Sequence, residues 1–203
     1  MSFFTRINAT KFILIVSDWF CENKKKKILE SALKLFNEKG IDNTSTSLIS
    51  KEAGIATGTL YLHFETKVDL IIELGTSIQE ESLESFPDLI ESSVGYESLE
   101  KFWLERVEWG VNNPDKYKFM KQFKSSPYNI KNPKLKIPDH EKKLLNLIED
   151  GIKNKILKDL PPKYISKFFS AHVTFTVEYI IPTKTKERKI FFETFFDGIK
   201  YTN

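Results

Sequence analysis

From Asn23 onward, apolar residues recur at helical spacing and no stretch sustains the alternation of a strand. That restricts the chain to helix-on-helix packing. Ile28, Ala32, Leu35 and Phe36 make one stripe with Leu29 and Leu33 beside it, and lysines and glutamates fall opposite. Lys39 and Gly40 end this first helix with a cation in the last turn and a glycine for the left-handed cap. Asp42, Asn43, Thr44 and Ser45 follow as candidate N-caps. A short helix is predicted over residues 45–53, closing at Gly54, and a second within 54–64. Thr66-Lys67-Val68-Asp69 is a capping-box pattern, which opens a longer helix running to about Ser85 and closed by Pro87. Further helices are expected over 97–111, 114–124, 139–156, 163–181 and 184–200. The stretch 125–138, with three prolines, reads as a loop. The prediction is an all-α chain of about nine helices.

Composition narrows the function. The chain of 203 residues is 40% apolar and 13% aromatic, enough for a substantial core. A formal net charge of +3 excludes a polybasic tail protein but leaves room for a local basic patch. Cys21 is the sole cysteine, so there is no disulfide framework and no cysteine-rich metal site, as suits a reducing cytosol. The apolar run from Phe12 to Val16 is far shorter than the roughly 20 residues that span a bilayer. No small-residue cleavage pattern follows it, so residues 1–22 read as an extension outside the main fold. The expected location is cytoplasmic, without a membrane partner.

Two short helices joined by a glycine-containing turn within about twenty residues make the helix-turn-helix layout. Leu48, Ile49 and Ala53 give the first an apolar face, and Ile55, Leu60 and Phe64 do so for the second. Thr57, Thr59, Tyr61 and His63 are then left pointing elsewhere, with groups that hydrogen-bond phosphates and base edges. Gly58 removes a side chain where a backbone would approach closely. Lys67 opposes the dipole of the helix it opens, unless an anion sits at that N-terminus. On periodicity alone, a solvated surface helix accounts for the same pattern.

The wider pattern is more specific. Residues 24–70 carry Phe-x-x-x-Gly, then Thr-Ser, Ile-x-x-x-Ala-Gly, Gly-Thr-Leu-Tyr-x-x-Phe and Lys-x-x-Leu. This run, without gaps, resembles the TetR/AcrR family of transcriptional repressors. The resemblance implies a three-helix DNA-binding domain (residues 23–69) followed by a helical ligand-binding and dimerisation domain (70–203). It also implies that Thr44 caps the second helix and touches phosphate, with Ser45 beside it. Ser47, Thr57, Thr59, Tyr61 and His63 would face DNA, and Lys67 would grip its backbone. Ala56 stands where the family commonly has serine, and Thr57 is the candidate to take over that cap. Glu65 replaces a frequent lysine, so fewer charge contacts and a weaker salt dependence are expected. Lys24, Lys25, Lys26 and Lys27 partly compensate.

No motif beyond Leu70 identifies a ligand. Trp103, Arg106, Trp109, Phe119, Phe123, Phe169, His172 and Phe175 are the candidate lining of an apolar pocket with a few polar groups. For any one of them, core or interface is the simpler role. His172 is expected to satisfy a buried hydrogen bond. The last two helices are too broadly apolar for one-sided packing; by the resemblance they form a four-helix interface with a twofold partner. Phe168, Val173, Val177, Ile180, Phe191, Phe192 and Phe195 are the candidates for it.

The chain has no phosphate-binding glycine loop, no supported Ser/His/Asp order and no metal-spaced pair on one helix, and its three histidines are far apart. An enzyme, a cofactor and a metal site are therefore not expected. The leading reading is a homodimeric repressor of a palindromic operator, in double-stranded DNA, released by an apolar or amphipathic effector. The alternative is an all-helical protein-interaction module without DNA binding; an acidic or buried motif face would favour it.

Overall fold

The computed structural model describes residues 9–84, 95–130 and 139–202; the side chains at 9–20, 84, 130, 139 and 140 are outside the description. Ten helices run through the described residues: α1 (Ala9–Lys39), α2 (Thr46–Glu52), α3 (Thr57–His63), α4 (Lys67–Glu84), α5 (Tyr96–Asn112), α6 (Pro114–Ser125), α7 (Pro127–Ile130), α8 (Asp139–Lys153), α9 (Pro162–Thr183) and α10 (Lys189–Ile199). The all-α prediction holds. Where strand pairing occurs it is one isolated bridge, between Leu157 and Lys200. Among the described residues no helix is long and apolar enough to cross a membrane.

Several boundaries differ from the sequence reading. α1 begins at Ala9, so residues 9–22 continue its backbone instead of standing apart from it; residues 1–8 lie outside the described residues. α7 occupies the start of the stretch expected to be loop: Pro127 supplies a pre-set φ at its first position. Pro182 sits in the last turn of α9, whose end is turned by Lys184 at φ 54°, and α10 starts only at Lys189.

Local chemistry explains the remaining ends. Gly40 (φ +85°) closes α1 in the left-handed conformation, its N–H donating to Phe36 O at 2.9 Å. The capping box at α4 forms fully: Thr66 N–H donates to Asp69 Oδ2 (2.9 Å) and Asp69 N–H to Thr66 Oγ1 (3.1 Å).

The helices bury two apolar cores, and these do not follow chain order. α5, α8, α9 and α10 share the first, built on Trp103, Val107, Ile148, Phe169, Val177, Phe192 and Phe195. The second joins Ile28, Ala32 and Phe36 of α1, Ile49 of α2, Leu60 of α3, Leu70, Ile71, Leu74 and Ile78 of α4, and Phe119, Met120 and Phe123 of α6. α6 therefore packs with the N-terminal helices. Phe36, Phe119 and Phe123 stack in series with centroids 5.9 and 5.8 Å apart.

The α4–α6 contact depends on Gly75. A Cβ there would overlap the ring of Phe123, itself 1% exposed and stacked on Phe119. Gly75→Ala gains helix propensity of about 1 kcal/mol but overpacks the crossing at a cost of about 1–3 kcal/mol. The urea midpoint is expected to fall. A rise would mean that Phe123 can swing aside.

Candidate nucleic-acid interface

α2 and α3 are each seven residues long and are held by what they bury. Ile49 and Leu60 are fully buried and Phe64 nearly so, while Leu48, Ala53 and Ile55 pack at the margin. Gly54 (φ +68°) makes the turn between them; nothing lies within 4 Å of the position its Cβ would take, so conformation, not space, requires the glycine.

The cap of α2 is Ser45, whose Oγ accepts from Leu48 N–H at 3.2 Å. This corrects the role expected of Thr44. That residue is 1% exposed and its hydroxyl donates to Gly40 O at 2.8 Å, with Leu35 O at 3.3 Å. Thr44 thus locks the α1–α2 turn from inside, with its hydroxyl committed to backbone carbonyls. The α3 cap also differs: Ala56 is the N-cap with no side-chain hydrogen bond, and Thr57 begins the helix instead of capping it.

Seen from solvent, the two helices present a hydroxyl-rich edge. Ser45 and Ser47 share a hydrogen bond (Oγ···Oγ 2.9 Å), and Tyr61 Oη lies 3.0 Å from Thr46 Oγ1. Thr57 and Gly58 are exposed, Thr59 and His63 half-buried, and Tyr61 is 47% exposed. Burial, then the charges of Lys24 and Lys25, push His63 below the usual histidine range, which favours its uncharged form. Those two charges also set the lysine run at the end of α3. Lys24, Lys26 and Lys27 are exposed and Lys25 pairs with Glu73. Lys67 Nζ donates to the carbonyl of Asp42 (3.3 Å), which uses one of its three donors.

Sequence reasoning missed three participants. Thr46 holds the Tyr61 hydroxyl, a pairing across two helices that no local pattern announces. Leu62 is 86% exposed; its place two residues after Leu60 was the available signal. Asp42 anchors the turn before α2, taking Lys67 on its carbonyl and Tyr128 Oη–H of α7 on its carboxylate (3.1 Å).

The eight residues expected to line a pocket do not surround one space. Trp103 and Phe169 fill the first core, Phe119 and Phe123 the second, Trp109 packs against the second, and Phe175 is 68% exposed. His172 Nδ1 accepts from the Trp103 indole N–H at 3.2 Å, which satisfies the indole and places the His172 ring proton on Nε2. Arg106 lies on the Phe102 ring, 4.5 Å from its centroid, and burial pulls its pKa down to about 10 against the charges of Glu141 and Glu105. Clefts of about 540 Å³ (beside Pro161 and Pro162) and about 360 Å³ (along Leu29, Leu33, Leu74 and Ile78) open elsewhere; none of the eight lines either.

The expected interface residues need a similar correction. Val173, Val177, Ile180, Phe192 and Phe195 are at most 6% exposed, inside the chain's own core. Phe191 is half-buried, edge-on to Tyr179 (5.6 Å), and Phe168 is 37% exposed, stacked on Phe195 (5.4 Å). Among the described residues, exposed apolar side chains form an adjacent stripe of α9 (Tyr164, Phe168, Phe175, Tyr179), with Ile190 and Tyr201 near the two ends of α10.

Comparison with known proteins places this architecture. Residues 28–74 match the family described as bacterial regulatory proteins, tetR family. An HTH-type transcriptional regulator of Staphylococcus aureus (strain USA300) is 49% identical over 49 residues, 24% of this chain; the match spans 26% of that relative's length. The solved structure of a TetR family transcription regulator from Marinobacter aquaeolei VT8 is similar over 89% of this chain and 97% of its own, with a TM-score of 0.75 and 19% identity. A TetR-family transcriptional regulator from Haemophilus influenzae is similar over 88% and 97%, with a TM-score of 0.68 and 19% identity. At that identity the structures speak for the fold, and the sequence match speaks for its N-terminal part. Together they show that residues 28–74 are similar to the tetR family of regulatory proteins and that the described chain has the fold of TetR family regulators.

Proposed function

We propose that the chain is a homodimeric, effector-responsive regulator of transcription, a repressor in its simplest form, acting on a palindromic operator in the cytoplasm. The observation that carries this reading is the mounting of α3. Leu60 and Phe64 anchor it in the core shared with α1, α2, α4 and α6, while Thr57, Gly58, Tyr61 and Leu62 are exposed. A helix so presented fits the major groove, with its edges on phosphates. Charge comes from its neighbours, chiefly Lys24, Lys26, Lys27 and the remaining donors of Lys67. Two copies joined through the α9–α10 stripe would set their α3 helices in successive major grooves, about 34–36 Å apart.

Residues 23–69 supply DNA contact; residues 70–203 supply dimerisation and the response to effector. α6 is the natural transmitter, since it lies in the core that supports α3 while α5, its neighbour, belongs to the other. An effector that prefers a different α6 position shifts the helices below it. A coupling of about 1–3 kcal/mol gives a 5–150-fold change in DNA affinity. A small apolar or amphipathic molecule suits the aromatic-rich composition of residues 95–203.

The test is selection of bound duplexes from a random pool, repeated with candidate apolar ligands. Enrichment of a palindrome is the expected result; no enriched palindrome would overturn the reading. On the enriched duplex, Tyr61→Ala is expected to weaken binding roughly ten- to hundredfold, the worth of a hydrogen bond to a charged group. Sedimentation should show the variant still folded and dimeric. An unchanged gel-shift titration would remove Tyr61 from the interface.

A further inference from the structure

We propose that Leu62 determines base specificity by reading thymine methyl groups in the major groove. The inference rests on the DNA-binding reading above and adds the chemistry that α3 selects. Two steps along a helix turn by about 200°, so with Leu60 fully buried, Leu62 points straight away from the core. It is 86% exposed. Gly58, four residues earlier, shares its face, and nothing lies within 4 Å of the space a Cβ there would fill. The outermost strip of α3 is therefore one leucine beside bare backbone.

A lone exposed leucine is ordinary on a protein surface. Here it occupies the centre of the face that a groove would cover, and the flanks are already committed. Tyr61 Oη is held by Thr46 Oγ1 towards the start of α2, at the rim where phosphates run. Thr59 and His63 are half-buried. The helix, Thr57–His63, has no arginine, lysine, asparagine or glutamine, the side chains that read base edges by bidentate hydrogen bonds. What remains at the centre is aliphatic, and the apolar group of the major groove is the thymine C5-methyl. Gly58 adds reach: with no side chain one turn before Leu62, the helix can lie closer to the groove floor.

The experiment uses the full chain and the duplex it enriches from a random pool. Thymines of each half-site are replaced one at a time by uracil, which removes the methyl group and keeps the base pair. Wild type is expected to lose roughly fourfold at one or two symmetry-related positions, the worth of one buried methyl group. Leu62→Ala should bind the thymine duplex more weakly and no longer distinguish uracil at those positions. Its thermal midpoint should match wild type, since Leu62 supports nothing inside the chain. Two results overturn the proposal: no position sensitive to the methyl group, or a uracil penalty that persists undiminished in Leu62→Ala. Failure to enrich any duplex would sink the DNA-binding reading and this inference with it, whereas enrichment followed by indifference to the methyl group sinks Leu62 alone.

Discussion

Phe119→Ala is expected to destabilise the chain by about 3–5 kcal/mol and to loosen α2 and α3 in doing so. Phe119 belongs to α6, yet it is fully buried between Phe36 of α1 and Phe123, in the cluster that contains Ile49 of α2 and Leu60 of α3. Removing the ring leaves a cavity that packed neighbours only partly fill. Phe192→Ala is the control: an equally buried ring of the other core, expected to cost as much. Urea unfolding measures both losses, and amide exchange under native conditions separates them. Phe119→Ala should lower protection in α2 and α3 selectively, and Phe192→Ala in α5, α9 and α10. Equal protection of α2 and α3 in the two variants would refute a core shared by α6 and α3. A further tie runs through hydrogen bonds. Asn37 Nδ2 donates to Asp115 O (2.8 Å) and Tyr128 Oη to Asp42 Oδ1 (3.1 Å), so α6 and α7 hold both sides of the turn between α1 and α2.

What the sequence disclosed was mostly what local chemistry decides. The capping box of Thr66 and Asp69, the glycine end of α1 and the buried Leu60 and Phe64 follow from spacing alone, because each partner lies within a turn or two. The misreadings arise where several partners compete or where the partner lies on another element. Thr44 and Ser45 are adjacent hydroxyls, equally able to cap α2; the carbonyls of Leu35 and Gly40, at the end of α1, take Thr44 and leave Ser45 the cap. Tyr61 is bound to Thr46, and Asp42 to Tyr128, across separations that sequence does not reveal.

Aromatic residues were hardest to place. The seventeen Phe, Tyr and Trp rings from α5 through α10 announce burial but not which core receives them. Phe119 and Phe123 lie with the N-terminal helices and Trp103 and Phe169 with the C-terminal ones, so a single pocket drawn through all four crosses two packed interiors. α9 shows the same ambiguity at finer scale. Ile165, Phe169, Val173, Val177 and Ile180 form one stripe, and Tyr164, Phe168, Phe175 and Tyr179 another beside it. The sequence reveals a surface too wide for one partner. The orientation of α9 against α5 decides that the first stripe faces the chain's own core and the second faces out.

That outward stripe carries the second large prediction, that Phe175→Glu converts a dimer to a monomer. Phe175 is 68% exposed near the middle of a row spaced four, seven and four residues apart along α9, flanked by Tyr164, Phe168 and Tyr179. Ile190 and Tyr201, at 55% and 42% exposure, extend the apolar surface at α10. A second copy meeting this face would bury the glutamate without a partner, at a cost of several kcal/mol. The separate chain would be almost unaffected, since an exposed side chain there shapes no core contact; its stability should stay within about 0.5 kcal/mol. Val173→Glu, 6% exposed on the neighbouring stripe, should instead unfold the chain. Sedimentation at micromolar concentration distinguishes the three proteins: dimer for wild type, folded monomer for Phe175→Glu, aggregate or unfolded chain for Val173→Glu. DNA binding then follows from linkage. On the proposed dimer two α3 helices would engage two half-sites, and losing the second engagement should weaken operator binding by about 10²–10⁴-fold, with binding to an isolated half-site unchanged. A Phe175→Glu protein that still sediments as a dimer would place the interface on another face. One that is monomeric yet keeps full operator affinity would show that each chain reads DNA alone.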